Sequence, residues 1–216
     1  SVDSSGSEHR AFLKKAVFGN RYIWLLALAN FFVYIVRFGV LDWGPTFLSE
    51  AKQVELKTAG WMMAAFEISG VTGMLIAGFA TDRLFGGRGA RTCVFYMIGA
   101  GLAMLALWRL DTTSLSTNTV LLCLAGFFIY GPQALVGIAV ANLATKRGAA
   151  TAAGFTGIFA YASTIFTGWG MGLLVDRHGW NAGLMSIVAA SVLGTLFFLA
   201  AWGSRAHGYG NTQEKS

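Results

Sequence analysis

"YIWLLALANFFVYIVRFGVLDWGPTFL", residues 22–48, is apolar enough to cross a membrane, yet it carries Arg37 near its middle. No charge precedes that arginine back to Tyr22. A hydrocarbon core of ~30 Å takes ~20 helical residues, so the stretch reads as a transmembrane helix with one buried cation. Asp42 follows near its far end, and Pro45 is expected to end the helix, because proline cannot donate to the turn behind it.

Five further runs of this kind occur, at about 58–81, 92–109, 118–142, 149–175 and 180–203. The expected fold is therefore an all-α membrane protein with six transmembrane helices. Of the 216 residues, 55% are hydrophobic and only 12% charged, against about 25% charged in a soluble domain. Six runs of near-membrane length rule against a soluble all-α protein. The 28 glycines suit close helix packing in lipid, with Gly168-x-x-x-Gly172 as one such spacing. Cys93 and Cys123 lie inside apolar runs and read as small apolar fillers. The first stretch, "SVDSSGSEHR", is polar, is no signal peptide and lacks an initiator Met; the chain reads as a piece of something longer.

The positive charges sort by side. Arg10, Lys14, Lys15, Arg21, Arg83, Arg88, Arg91, Lys146, Arg147, Arg205 and Lys215 fall on one face of the membrane. Lys52, Lys57, Arg109 and Arg177 fall on the other. The positive-inside rule then places both termini in the cytoplasm. The net charge of +6 is a topology signal, and no nucleic-acid partner is expected.

Charge inside the hydrocarbon costs at least ~2.5–3.5 kcal/mol, so such a side chain faces a cavity or a partner. Asn30, Tyr34 and Arg37 fall at i, i+4 and i+7, one polar stripe on an apolar helix. Asp42 lies about 140° round from Arg37 and is a poor partner within that helix; a cap or an interhelix lock would explain it. Glu67, in "MMAAFEISG", comes out at nearly the depth of Arg37, about 14 Å against about 16 Å from the outer ends of their spans. An ion pair or a shared cavity follows. Tyr130 and Tyr161 come out ~15–20 Å deep on the same arithmetic. These groups cluster at the midplane, where transporter sites are usually found.

Between the second and third runs lies "GFATDRLFGGRGAR", residues 78–91. The pattern of Gly78, Asp82, Arg83, Gly87, Arg88 and Arg91 resembles the cytoplasmic loop motif of the major facilitator superfamily. "YIVRFGVLDWGPTFL", "FEISGVTGMLIAGFATDRLF", "GFFIYGPQALVG", "ATAAGFTGIFAY" and "GLLVDRHGW" are similar to the organophosphate:phosphate antiporter family, which includes glycerol-3-phosphate and hexose-6-phosphate transporters and a related hexose-phosphate sensor. The resemblance covers residues 22–202 and implies the C-terminal half of a twelve-helix protein, two three-helix inverted repeats. Residues 1–20 would be the central cytoplasmic linker, 21–203 the six-helix half and 204–216 a cytoplasmic tail, in a bacterial inner membrane.

The resemblance further implies that Arg37 clamps phosphate together with an arginine of the missing N-terminal half. Tyr34, Tyr130 and Tyr161, with Asn30 on the same stripe, would line the substrate cavity. Asp42 and Glu67 would hold salt bridges that change as the halves rock. Exchange of a phosphorylated small metabolite for inorganic phosphate is the expected function, with membrane lipid as surroundings. A hexose-phosphate sensor and an unrelated exporter are the alternatives. The chain departs from the transporters after Tyr161, where Ala162-Ser163-Thr164 replaces a Leu-Gly-Gly run. No enzyme, cofactor or metal is expected: His9, His178 and His207 lie in tails or loops, and "GGRGAR" lacks the Lys-Ser/Thr of a P-loop.

Overall fold

The computed structural model describes residues 2–110 and 113–204, with side chains from residue 7 onward. It therefore leaves Arg205, His207, Lys215 and the tail beyond Ser204 outside the description. Every element described is helical: α1 (Val2–Leu13), α2 (Arg21–Lys52), α3 (Leu56–Leu84), α4 (Gly89–Arg109), α5 (Leu115–Ile165) and α6 (Met171–Ala200). Two wider π turns, Lys14–Phe18 and Phe166–Gly170, follow α1 and α5. By length and apolar composition, four helical runs can cross a membrane: α2, α3, α4 and the long stretch Leu115–Ala200.

That last stretch is divided twice. Thr145 (φ 62°, ψ 169°) and Gly179 (φ 75°, ψ 177°) are not helical. The break at Thr145 reverses the chain, because residues on either side of it, Tyr130 and Thr156, both hydrogen-bond to α2. The arms 115–144 and 146–165 thus form a hairpin against α2.

One boundary differs from the sequence reading, at Pro45, and the expected linker takes helical form. Residues 2–18, expected as a linker, are helical, and Val17 is fully buried. Arg147, just past the reversal at Thr145, sits over the Phe12 ring at 5.2 Å and donates to His9 Nδ1 at 3.3 Å, which docks this segment on the hairpin. Pro45 does not end α2. The helix runs on to Lys52 because Phe47 and Leu48 beyond it are buried, and apolar burial offsets one lost backbone bond. The stop comes at Gln53, left-handed at φ 57°, where Val54 N–H turns back onto the Leu48 carbonyl at 3.0 Å.

The backbones of α3 and the first arm of α5 approach closely. A Cβ on Gly73 would collide with the Phe127 backbone, and one on Gly126 with the Phe66 backbone. Gly168, singled out in the sequence for such packing, has open space at its Cβ, and Gly172 instead faces the Trp43 ring. Small residues make an interface only where the partner backbone arrives, and spacing within one helix does not specify that.

Candidate functional site

The stripe on α2 is shared between the two arms of the hairpin. Asn30 Nδ2 donates to the Thr156 carbonyl of the second arm at 3.4 Å. Tyr34 sets its ring edge-on to Tyr161 of the same arm, 6.2 Å between centroids. Arg37 turns to the first arm, where its Nη2 donates to the Tyr130 hydroxyl at 3.2 Å.

Tyr130 passes the contact on. Its hydroxyl donates to Glu67 Oε2 on α3, so a single phenol joins the arginine to the glutamate. No direct Arg37–Glu67 ion pair forms among the described residues; the sequence reading had left open a direct pair or a shared cavity. Gly70, one turn after Glu67, makes this possible: a Cβ there would lie 2.5 Å from Cδ2 of Tyr130. The two charges cancel across one intervening group, which offsets the cost of holding each within an apolar bundle.

Arg37 is only partly engaged. Its guanidinium carbon lies 4.9 Å from the Tyr130 ring centroid and 5.5 Å from that of Phe38. Its Nε is buried with no hydrogen-bond acceptor. Nη2 is the one nitrogen with an acceptor among the described residues. A planar fork with unused donors suits a bidentate oxyanion such as phosphate or carboxylate.

Other expected residues stand apart from this trio. Tyr161 is 67% exposed, and neither its hydroxyl nor that of Tyr34 hydrogen-bonds among the described residues. Asp42 is exposed on α2 and makes no hydrogen bond among the described residues, and the positive charge that acts on its carboxylate is that of Arg37. Asn30 is buried with its Oδ1 unpartnered. Two residues escaped the sequence reading: Phe38, which covers Arg37, and Gln133, whose Oε1 is buried without a partner. Gln133 lies one turn past Tyr130, and that spacing was the available signal.

The loop motif divides in two. Gly78, Asp82 and Gly87 line a cavity of about 260 Å³ together with Leu135, Ile138 and Asn142 from the first arm of α5. Gly86 and Gly87 make the turn with positive φ, 57° and 76°, and Gly87 N–H returns to the Thr81 carbonyl at 2.9 Å. The arginines face elsewhere: Arg83 lies over the Phe79 ring at 5.7 Å, and Arg91 over Trp202 at 5.0 Å. Arg88 holds the position just before α4 without a side-chain capping bond.

Residues 2–168 match the family model described as Major Facilitator Superfamily. The chain is 38% identical over 193 residues to a glycerol-3-phosphate transporter of Bacillus subtilis, covering 88% of this chain and 44% of that protein. It is 36% identical over 208 residues to a probable hexose phosphate transport protein of Chlamydia pneumoniae, covering 96% and 45%. It is 34% identical over 197 residues to the membrane sensor protein UhpC of Escherichia coli, covering 91% and 45%. The chain thus spans a little under half the length of the curated relatives it matches.

Proposed function

The chain belongs to the major facilitator superfamily, on its organophosphate branch, and from that premise we propose that it is the C-terminal six-helix half of an organophosphate:phosphate antiporter. The family consists of membrane transporters and not of enzymes. In this reading residues 1–20 are the cytoplasmic linker, 21–203 the transmembrane half and 204–216 a cytoplasmic tail, in a bacterial inner membrane. The breaks at Thr145 and Gly179, which interrupt the long run Leu115–Ala200, support a reading of six spans.

The observation that carries the proposal is the half-engaged guanidinium of Arg37. A substrate phosphate takes its free donors, with Tyr130 and the unpartnered hydroxyls of Tyr34 and Tyr161 within the same stretch of the bundle. Phosphate then competes with the Tyr130–Glu67 link for the arginine's charge. Glu67 and Asp42 re-pair as the halves rock, and inorganic phosphate returning the other way resets the cycle. A second half is also supported by the surface: Ile158, Tyr161, Ile165 and Trp169 form one helical face and are each at least 65% exposed.

The test is exchange in proteoliposomes holding the full-length protein and loaded with radiolabelled phosphate. External glycerol-3-phosphate or glucose-6-phosphate should drive efflux in the wild type. Arg37→Lys, which keeps charge but loses the fork, should lower substrate affinity tenfold to a hundredfold, about 1.5–3 kcal/mol. Unchanged affinity in Arg37→Lys overturns the assignment. A sensor is the second reading, favoured by the 34% identity to UhpC over 91% of the chain; ligand binding without flux identifies it.

A further inference from the structure

α4 and α6 contribute nothing to the Arg37–Tyr130–Glu67 group, yet they form a second feature of their own. Facing stripes run along both helices at alternating four- and three-residue steps: Arg91, Phe95, Ile98, Leu102 on α4, and Leu199, Thr195, Val192 on α6, with Trp202 in the turn just past its end. Between them lies an apolar groove of about 300 Å³ walled by Ile98, Leu102, Val192 and Leu196. Its floor is narrow because the Ser191 side chain packs onto Gly101: a Cβ there would stand 2.5 Å from Ser191 Oγ. The floor offers no polar handle, since Ser191 donates to the Val188 carbonyl (2.7 Å) and Thr195 to the Ser191 carbonyl (2.8 Å).

One end of this groove is marked by a cation. Arg91 lies seven residues from Ile98, about 10 Å along the helix. Its guanidinium carbon sits 5.0 Å from the Trp202 ring centroid, and its Nε donates to the Trp202 carbonyl at 3.5 Å. Its Nη groups have no acceptor among the described residues. Phe85, Phe95 and Trp202 form an aromatic layer at the same level, with centroids 5.5 and 6.2 Å apart. Amphipathic aromatics and a snorkelling arginine are the side chains that sit at the headgroup level of a bilayer.

We propose that this groove holds an acyl chain of an acidic phospholipid whose phosphate rests on Arg91. An apolar trough fits hydrocarbon, and the ring-stacked Arg91 beyond one end of it fits the charged end of a lipid. A helix from a second copy, about 10–12 Å across, would demand a broader trough and gives no role to the arginine. Among the described residues no carboxylate pairs with Arg91, and a headgroup phosphate supplies an anion there. The inference stands apart from the transport reading and needs only that the helices lie in a bilayer.

Native mass spectrometry of the full-length protein, offered phosphatidylglycerol or phosphatidylcholine, tests it. The wild type should retain phosphatidylglycerol preferentially. Arg91→Gln should weaken that retention about fivefold, the worth of one cation near an acidic surface, while phosphatidylcholine retention stays the same. Ile98→Trp, which fills the trough, should lower both. Arg109→Gln, at the other end of α4, should change neither. If Arg91→Gln does not fold, Arg91→Lys should keep the preference, and its loss there counts against the site. Equal retention in Arg91→Gln, displacement of the lipid by inorganic phosphate alone, or a dimer mass in place of bound lipid overturns the proposal.

Discussion

The ring of Tyr130 occupies the space that a side chain on Gly70 would fill, 2.5 Å from the position of its Cβ. The bridge between Arg37 and Glu67 therefore depends on a residue that touches neither charge. Gly70→Ala should push the phenol out of line and cost about 1–3 kcal/mol by overpacking. Thermal denaturation of the full-length protein in detergent reads this, and an unchanged midpoint would mean the ring is not held there.

Tyr130→Phe keeps the ring and removes the hydroxyl that both charges use. Paired with Glu67→Gln in a double-mutant cycle, it should show a favourable coupling of about 1–2 kcal/mol. Additive effects would mean that the phenol and the carboxylate do not act together. In transport, Tyr130→Phe should alter substrate affinity more than it alters protein yield.

Lys52 offers a test far from the site. It is buried, and its Nζ donates to the Leu110 carbonyl at the end of α4, at 2.8 Å. A cation suits that end of a helix dipole. Lys52→Met keeps most of the packing and should cost about 1 kcal/mol, and a stability equal to wild type would discount the contact.

Gly87 has φ 76° in the turn from α3 to α4, with nothing near its Cβ. Gly87→Ala meets no clash, so the penalty is backbone strain alone, about 1–2 kcal/mol. Gly87→Asn should recover part of it, because asparagine tolerates the left-handed region better. Circular-dichroism melts of the three proteins order them, and alanine ranking with glycine would contradict the turn geometry.

The helical spans were legible because the bilayer demands long apolar runs, and a lone Arg37 inside one announces itself. Depth arithmetic along straight helices also brought Glu67 and Tyr130 to one level, which is the level at which they meet. What joins them was not legible. A one-dimensional pattern does not say that Tyr130 stands between the charges, since that depends on Gly70, Gly73 and Gly126 letting two backbones close. The same gap made Gly168 look like packing and Pro45 look like an ending. Each depends on what a neighbouring helix places opposite it. Residues 1–20 read as a linker through the family resemblance; the docking of Phe12, Val17 and His9 required knowing that the chain reverses at Thr145.

The π turn Phe166–Gly170 has a geometric effect on everything around it. Such a turn carries one residue more than an α-helical turn, so it offsets the angular phase of the helix by about 100°. Tyr161 before it is exposed, and Met171 after it is buried. Between them, Trp43 Nε1–H donates to the Thr167 carbonyl at 2.6 Å and pins the offset to α2. Removing one residue from 166–170 would swing the Tyr161 face against the Met171 face by that angle, turning an outward tyrosine toward the packed interior while leaving the length of the span almost unchanged.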